Sequence, residues 1–328
     1  MTAAAAVGVL VGLHAASWGA FKDAPFEGFR LASYLRSIVL AAIIAGLIAS
    51  LAPRLAPGVV LLIGTVYAIE RLATEGWKAI LREQDQDRYT IPMRLGFRGR
   101  PVDDNLTRYA VGAAVALGAL AALSSLEAVQ HRLPSPPPLL VLLAVGSAGG
   151  WATAVGGAWK DAPIEGFSGW KFLRSPAVAT AWAVPLSFLT DSWTALLLAS
   201  GGYAVATIET YKTFFTAGRP PGKFAGKPVQ AHLPALRRLL TYQHAALWMA
   251  VAGAFAVTLS RLRHSPIGVS VRALPSELPD VLLAAVAIGS VSLGTLTLCL
   301  SSRDHTGDAV KDVTSLQPGS HHPADRDV

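Results

Sequence analysis

A short charged motif occurs twice in an otherwise apolar sequence. Residues 19–29 read GAFKDAPFEGF, and 138 positions later residues 157–167 read GAWKDAPIEGF. The charged positions of the two copies are, in order, Lys22, Asp23 and Glu27, and then Lys160, Asp161 and Glu165. Carboxylates placed in pairs can act as general acid and base, and they can hold a magnesium ion that bridges phosphate groups. The motif therefore predicts catalytic groups and candidate magnesium ligands at Asp23, Glu27, Asp161 and Glu165.

Two further blocks repeat in the same order. ATEGWKAIL (73–81) aligns with TIETYKTFF (207–215), and FRGRPV (97–102) aligns with FAGKPV (224–229). Glycines mixed with Arg and Lys offer backbone amides and cations to a phosphate. The candidate substrate-binding residues are Lys22, Lys160, Arg36, Arg174, Glu75, Lys78, Glu209, Lys212, Arg100 and Lys227. We expect them to recognise an anionic, phosphorylated group.

Structural explanations of the same residues remain open. Pro25 and Pro163 can open short helices at the membrane interface, with an aspartate near each N-terminus. Arg71, Glu75 and Lys78 have the spacing of a salt-bridge ladder on one helix face. Basic loop residues can also attach to anionic lipids. Glu70 and Arg71 argue for function, because ionisable residues deep in a membrane helix usually face a bundle interior or an aqueous cavity.

The elements that position these residues are membrane helices. Of 328 residues, 52% are hydrophobic and 15% are charged, and the mean hydropathy is +0.44. Apolar stretches of about 20 residues are long enough to cross a bilayer. The predicted fold class is an all-α polytopic membrane protein with nine spans: 3–20, 37–52, 58–81, 105–129, 137–159, 175–190, 192–215, 238–260 and 278–302. The second and sixth are short, and we expect them to be tilted, kinked or partly re-entrant.

Lys and Arg predict the orientation of these spans. Of the 28 basic residues, 22 lie in the tail or in or beside one set of alternate loops. Because positive residues stay on the cytoplasmic side, the motif and the C-terminus are predicted to face the cytoplasm of a bacterial cytoplasmic membrane. The net charge of +7 mostly reflects this topology, so we do not expect nucleic acid binding.

The repeated blocks predict an internal duplication. From Gly19 to Ser37 against Gly157 to Ser175, 12 of 19 positions are identical. An even number of spans separates equivalent positions, so the halves should be parallel and related by a pseudo-twofold axis along the membrane normal. The predicted organisation is a four-helix repeat at 1–130, a second at 131–260, an extra transmembrane helix at 261–302 and a disordered polar tail at 303–328.

This architecture resembles that of the intramembrane prenyltransferases of the UbiA superfamily, and DRYTIPMRLG (87–96) is similar to the end of that family's second aspartate motif. The resemblance implies a phosphorylated prenyl substrate. The spacing Asp-x-x-x-Asp occurs only in the polar tail, at Asp304, Asp308 and Asp312, and Asp85 and Asp87 are two apart, so the residues that would carry the family's chemistry do not match. We therefore assign no family from the sequence.

Two functions follow from these patterns. The first is a membrane enzyme that acts on a phosphorylated lipid or prenyl-type substrate at the cytoplasmic face, with magnesium as the expected cofactor and membrane lipids as partners. The alternative is a transporter or flippase for an anionic lipid or solute, with the duplicated charges as gates. Because a transporter ordinarily places polar groups near the bilayer midplane, and the charges here concentrate at one face, the sequence favours the enzyme.

Overall fold

The computed structural model describes residues 2–133, 136–216 and 220–260, and the described chain is mostly helical. The α-helices are α1 (Thr2–Glu27), α2 (Leu31–Leu51), α3 (Val59–Gly76), α4 (Asn105–Arg132), α5 (Pro138–Ala144), α6 (Ala148–Glu165), α7 (Gly169–Leu186), α8 (Trp193–Phe214) and α9 (Pro234–Leu259). A π-helical turn (Trp77–Leu81) follows α3, and short 3₁₀ turns occur at Pro53–Leu55, Gln86–Arg88 and Gly222–Phe224. Strands β1 (Gly96–Phe97) and β2 (Arg100–Pro101) form a small antiparallel hairpin before α4.

The helices agree with an all-α integral membrane protein. Among the described residues, four helical segments are long and apolar enough to cross a membrane: Thr2–Glu27, Leu31–Leu51, Asn105–Arg132 and Pro138–Glu165, the last of which contains α5 and α6. Each of the first eight predicted spans overlaps at least one described helix. The ninth predicted span, 278–302, and the polar tail lie outside the described residues.

Several predicted boundaries are wrong. The sequence predicts that the first span ends at residue 20 and that the second begins at residue 37, but α1 continues to Glu27 and α2 begins at Leu31. A helix can continue through charged residues when their side chains form ion pairs or extend towards the membrane interface. The second and sixth spans are therefore not short: α2 has 21 residues and α7 has 18. The fifth span is interrupted by a turn at residues 145–147.

The repeated motif was expected in loops, but it forms the last turns of two helices. Its carboxylates lie near the C-terminal ends of α1 and α6, and Arg36 and Arg174 lie in the helices that follow. The structure contradicts the idea that Pro25 and Pro163 open helices, since both lie inside the last turn. Each helix ends at a glycine with positive φ, Gly28 (74°) or Gly166 (85°), a conformation that glycine adopts without strain.

The centre of the bundle is the contact between α3 and α8, which are also the most buried helices. Glycines allow this close approach: a Cβ placed on Gly202 would lie 1.8 Å from the carbonyl oxygen of Gly64. Small residues at helix contacts let backbones approach inside membranes. The contact brings the C-terminal ends of both helices, with their charged side chains, to the same end of the bundle.

One close contact recurs 138 positions along the chain. A Cβ on Gly12 of α1 would meet the backbone of Ser37 and Ile38 in α2, and a Cβ on Gly150 of α6 would meet the backbone of Ser175 and its neighbour Pro176 in α7. The helix pairs α1–α2 and α6–α7, which hold the two copies of the motif, are therefore packed through equivalent glycines.

Candidate functional site

Charged side chains from α1, α3, α8 and the loop after α8 meet in one group, which we call the charged cluster. It consists of three ion-paired sets that lie close enough to act on one another electrostatically: Lys22, Glu209 and Lys212; Arg71, Glu75 and Lys78; and Asp23 with Lys223. Lys22 donates to Glu209 across the two halves of the chain, and Lys223 Nζ lies 2.9 Å from Asp23 Oδ2. The cluster therefore joins residues that are about 190–200 positions apart in sequence.

Two segments that align in the sequence contribute ion pairs of the same spacing to this cluster. Glu75 accepts from Lys78 Nζ at 2.9 Å, and Glu209 lies 3.6 Å from Lys212 Nζ at the same spacing of three residues. Arg71 NH2 adds a contact of 2.6 Å to Glu75, so the ladder of Arg71, Glu75 and Lys78 exists. Lys22 of one motif pairs with Glu209, and its counterpart Lys160 lies near enough to Glu75 to act on it electrostatically. Glu209 thus forms an ion pair with a lysine of the first motif, whereas Glu75 is influenced by a lysine of the second motif without a direct contact.

The glycine- and proline-containing loops 82–104 and 220–233 lie over this end of the bundle, and we call them the cap. Each loop contacts the motif of the other half of the chain. Trp159 in α6 donates to the carbonyl oxygen of Gly96 at 3.1 Å, and the carbonyl oxygen of Pro25 in α1 accepts from the amide of Gln230 at 2.8 Å. The loops also contact one another, since the amide of Thr90 donates to the carbonyl oxygen of Lys223 at 2.8 Å.

The loop 82–104 is anchored to α4 through Glu83. Arg108, which is fully buried at the start of α4, donates to one oxygen of Glu83, and Arg94 NH2 lies 2.8 Å from the other. The hydrogen bond from Arg108, together with the charges of both arginines, lowers the pKa of Glu83 below its ordinary value. This contact holds one half of the cap in place while Glu83 is ionised.

The four predicted catalytic carboxylates do not meet in one place. Asp23 belongs to the charged cluster, and its Oδ1 is buried without a hydrogen-bond partner. Glu27 accepts from the Tyr89 hydroxyl at 2.7 Å, and Glu165 lies 2.7 Å from Lys171 Nζ. Asp161 lies near Lys160 and Lys212. Their nearest partners are thus cations and a hydroxyl group.

These residues do not fit a protein-held magnesium ion. Within the described part of the chain, no group of three or more His, Cys, Asp or Glu side chains is placed to hold a metal. Magnesium usually keeps several of its waters and is bound through one or two carboxylates together with substrate phosphates, so the described carboxylates form no cage made by the protein alone. Whether magnesium acts here remains a prediction.

The other predicted binding residues lie around the cluster. The guanidinium of Arg36 lies 4.7 Å from the ring centroid of Trp77, and that of Arg174 lies 5.7 Å from the ring of Tyr211. Lys160 Nζ approaches Met93 Sδ at 3.5 Å, and Lys227 Nζ donates to the carbonyl oxygen of Asp87 at 2.7 Å. Arg100 is exposed in β2. Both arginine–aromatic contacts involve residues at aligned positions of the repeated sequence blocks.

Sequence reasoning missed a second polar group, which lies inside the bundle and which we call the histidine cluster. It consists of His14, Ser17, Tyr67, Thr210, His244 and Trp248. His14 Nε2 lies 3.3 Å from His244 Nε2, and His14 Nδ1 contacts the Tyr67 hydroxyl. Single histidines on distant helices give no spacing signal in the sequence. The detectable signal is a histidine in the middle of an apolar span, as at His14.

Tyr89 links the cap to the first motif, and its hydroxyl should make the free energy of unfolding depend on pH in the alkaline range. Burial first, and then the hydrogen bond to Glu27, hold the pKa of Tyr89 well above its ordinary value. Because the folded state holds this proton more tightly than the unfolded state, its stabilising effect is complete below about pH 10 and declines as the pH rises further.

We therefore expect Tyr89→Phe to lower the free energy of unfolding by about 1 kcal/mol at pH 8, because Glu27 loses its partner. The difference between wild type and variant should shrink above about pH 10. Thermal unfolding in detergent across this pH range measures it, with the exposed Tyr242 as the matched Tyr→Phe control. A difference that grows with pH would contradict the assigned role.

No protein-family model, no curated protein and no solved structure matches this chain. The function must therefore be argued from the charged cluster and the histidine cluster themselves.

Proposed function

We propose that this protein is an integral membrane enzyme that acts on a phosphorylated lipid or prenyl-type substrate at the cytoplasmic face, and that the charged cluster binds the phosphate. One observation carries the proposal. In the cluster, the five cations Lys22, Arg71, Lys78, Lys212 and Lys223 outnumber the three carboxylates Asp23, Glu75 and Glu209. An excess of positive charge in a partly buried, low-dielectric site attracts an anion strongly.

The placement of the cluster supports a substrate that lies partly in the membrane. Its members lie at the C-terminal ends of α1, α3 and α8, where apolar helix meets the polar cap. Lys22, Lys78 and Lys223 expose only 20%, 15% and 18% of their side chains. A phosphate among these lysines leaves the apolar part of a lipid or prenyl chain beside the exposed helix surfaces.

The predicted duplication is part of the proposal, and three repeated contacts support it. These are the equivalent glycine contacts of Gly12 and Gly150, the arginine–aromatic contacts of Arg36 and Arg174, and the three-residue ion pairs of Glu75 and Glu209. Equivalent residues lie at the same end of the bundle, as parallel halves require. In this proposal, nine helices with two parallel repeats build one site on the pseudo-twofold axis.

Asp23 is the proposed catalytic carboxylate among the four predicted. It is the one that belongs to the charged cluster, and its buried Oδ1, which has no hydrogen-bond partner, is the oxygen proposed to accept a proton from a substrate hydroxyl. Lys223 on its other oxygen keeps the carboxylate ionised and oriented. Glu27 holds the cap through Tyr89, and Glu165 pairs with Lys171 at the start of α7, so their proposed role is positional.

A transporter or flippase is the second candidate, and the histidine cluster is the observation that favours it. Polar side chains buried among membrane helices usually mark a substrate or ion pathway. His14 is fully buried near the middle of α1, well away from the charged end of that helix. The sequence argument against a transporter was the scarcity of such groups, so the histidine cluster weakens that argument.

Binding of inorganic pyrophosphate to the full-length protein in lipid nanodiscs tests the site. We expect Lys78→Gln and Lys223→Gln each to raise the dissociation constant about tenfold or more, which corresponds to about 1.4 kcal/mol. The matched control is Lys171→Gln, because this lysine also forms an ion pair but lies outside the charged cluster. If Lys78→Gln and Lys223→Gln bind pyrophosphate as tightly as the control Lys171→Gln, the charged cluster is not the phosphate site. Titrations with and without magnesium test the predicted cofactor.

Two assays on the same purified protein, one in detergent and one in sealed vesicles, distinguish an enzyme from a transporter. An enzyme should convert an isoprenyl diphosphate in detergent, where no compartments exist, and Asp23→Asn should abolish product formation while pyrophosphate still binds. A transporter should move the same compound across sealed vesicles without chemical change. If the wild-type protein moves the compound across the vesicle membrane but forms no product, it is a transporter and not an enzyme.

A further inference from the structure

Several arginines near the C-terminal end of α3 have no carboxylate partner. Within the part of the chain that the structure describes, no ion pair and no side-chain hydrogen bond involves Arg30, Arg36, Arg82 or Arg88. The neighbouring Arg71 and Arg94, in contrast, are paired with carboxylates. Cations that gather without a counter-charge favour the binding of an anion.

Two of these arginines contact the same tryptophan ring. The guanidinium of Arg36 lies 4.7 Å from the ring centroid of Trp77, and that of Arg82 lies 5.5 Å from it. The two positive charges repel each other, since Arg82 acts on Arg36 electrostatically. Contact with the ring holds both cations in place despite this repulsion. An anion within reach of both guanidinium groups would offset the repulsion.

A groove beside Trp77 has room for such an anion. Its volume is about 500 Å³, and three of the unpaired arginines line it, together with Trp77 and Leu81. Glu83 and Asp85 also line the groove, but Glu83 already forms ion pairs with two other arginines. The lining arginines therefore outnumber the one carboxylate that has no cation partner, and the groove carries an excess of positive charge.

The residues that line the groove also include a hydrogen-bond acceptor that lacks a donor. The side-chain oxygen Oε1 of Gln84 is buried and has no hydrogen-bond partner. Buried polar atoms are normally paired, so this oxygen suits a ligand that brings its own donor. A phosphodiester whose head group carries hydroxyl groups has both properties, because its phosphate is an anion and its hydroxyl groups donate hydrogen bonds.

An apolar surface continues from the arginines along α2. Ile43 and Leu47 follow Arg36 by seven and eleven residues, a spacing that places all three on one face of the helix. Ile43 is 55% exposed and Leu47 is 53% exposed. At 1.5 Å per residue, Leu47 lies about 16 Å further along the axis than Arg36, which is about half the thickness of the hydrocarbon core. The surface therefore has the length of one acyl chain in one leaflet.

We propose that this groove binds an anionic phospholipid of the adjacent leaflet, of the phosphatidylglycerol type. The phosphate binds to Arg36 and Arg82 beside Trp77, the head-group hydroxyls donate to Gln84, and one acyl chain lies along α2. A lipid bound in this way joins α2 to the loop 82–104 of the cap. The site is separate from the charged cluster, whose lysines and Arg71 all have carboxylate partners, and it does not depend on the proposed function.

The second half of the chain provides a natural comparison. Arg174 lies 5.7 Å from the ring of Tyr211, and both residues align with the first arginine–tryptophan pair. Thr216 occupies the position that aligns with Arg82, so the second guanidinium is missing there. Arg174 is thus a matched control, because it is an arginine on an aromatic ring at the aligned position but has no second arginine at the position that aligns with Arg82.

The test is a titration of the full-length protein in detergent with phosphatidylglycerol, followed by native mass spectrometry. We expect Arg36→Gln and Arg82→Gln each to raise the dissociation constant of the first bound lipid about fivefold, the usual contribution of one arginine to the binding of an anionic lipid. The double variant should bind more weakly than either single variant. Arg174→Gln should bind phosphatidylglycerol as the wild type does.

Two comparisons need only the wild-type protein. We expect it to bind phosphatidylglycerol about tenfold or more tightly than the zwitterionic phosphatidylcholine, because several arginines act on the net charge of the lipid. Equal dissociation constants for the two lipids would overturn the proposal. Displacement of phosphatidylglycerol by an excess of inorganic phosphate would also overturn it, since the groove would then bind a free anion and not a lipid.

Two variants separate this site from the charged cluster. Lys223→Gln is expected to weaken pyrophosphate binding, but it should leave phosphatidylglycerol binding unchanged. If Lys223→Gln loses the lipid, or if the double variant of Arg36 and Arg82 binds it as tightly as Arg174→Gln, the groove is not the lipid site. Normal lipid binding in a protein that fails to bind pyrophosphate would instead refute the proposed phosphate site and support the groove.

Discussion

Gly202→Ala is expected to lower the free energy of unfolding by about 3 kcal/mol or more, because a single methyl group has no space between α3 and α8. Its Cβ would lie 1.8 Å from the Gly64 carbonyl oxygen and 2.8 Å from the amide nitrogen of Ala68. Both are backbone atoms, so the two helices must move apart. Movement of α8 also displaces Glu209, and we expect pyrophosphate binding to weaken together with stability.

Thermal or denaturant unfolding of the purified protein in detergent measures this effect. Gly118→Ala in α4 is the matched control, since a Cβ there meets nothing within 4 Å. It should be neutral or stabilising by up to about 1 kcal/mol, because alanine is the better helix former. Equal stability of the two variants would mean that α3 and α8 are not in close contact.

Reversing the charge of Lys22 is the second change with a large expected effect. Lys22→Glu places a carboxylate against Glu209, whose side chain is only 12% exposed and would lose its partner from α1. Breaking a buried ion pair on one side costs about 3–5 kcal/mol, and the partial exposure of this pair places it at the low end of that range. We therefore expect a loss of about 3 kcal/mol in the free energy of unfolding.

The double variant Lys22→Glu with Glu209→Lys provides the decisive comparison. Restoring opposite charges should recover at least half of the lost stability, because the cross-half contact can form in reverse. Lys171→Glu, which opposes Glu165 at an exposed ion pair, should change stability by about 1 kcal/mol or less. A double variant as unstable as the sum of its single changes would indicate that Lys22 and Glu209 do not contact each other.

Much of the local organisation was predictable from the sequence. Apolar stretches predicted where helices lie, because a run of such residues must satisfy its backbone internally when it is in a membrane. Helix ends were predicted less well. Lys22 and Arg36 are predicted to lie in a loop because charge usually marks the end of a span. Both lie within helices, where Lys22 has an ion-pair partner and Arg36 an aromatic one.

The sequence predicted which residues lie in the charged cluster better than it predicted how they pair. Lys22, Asp23, Glu75, Lys78, Glu209 and Lys212 were all identified from repeated blocks, and the structure brings all six into the charged cluster. The sequence offered no means to pair them, so the assignment of Glu27 and Glu165 to catalysis rested on the motif alone. Their contacts with Tyr89 and Lys171 were not predictable because those residues belong to other segments.

What the sequence by itself determined is the class of molecule and the repeated charged blocks, because hydropathy and internal similarity are properties of residues along one chain. What only the tertiary structure decided is which charges neutralise each other and which polar groups are buried together. Lys22 meets Glu209, and His14 meets His244 at a separation of 230 positions, through the packing of α1, α8 and α9. The physical reason is that an ion pair or a shared proton depends on distances of about 3 Å, and distances between helices depend on how their small residues pack, as at Gly64 and Gly202.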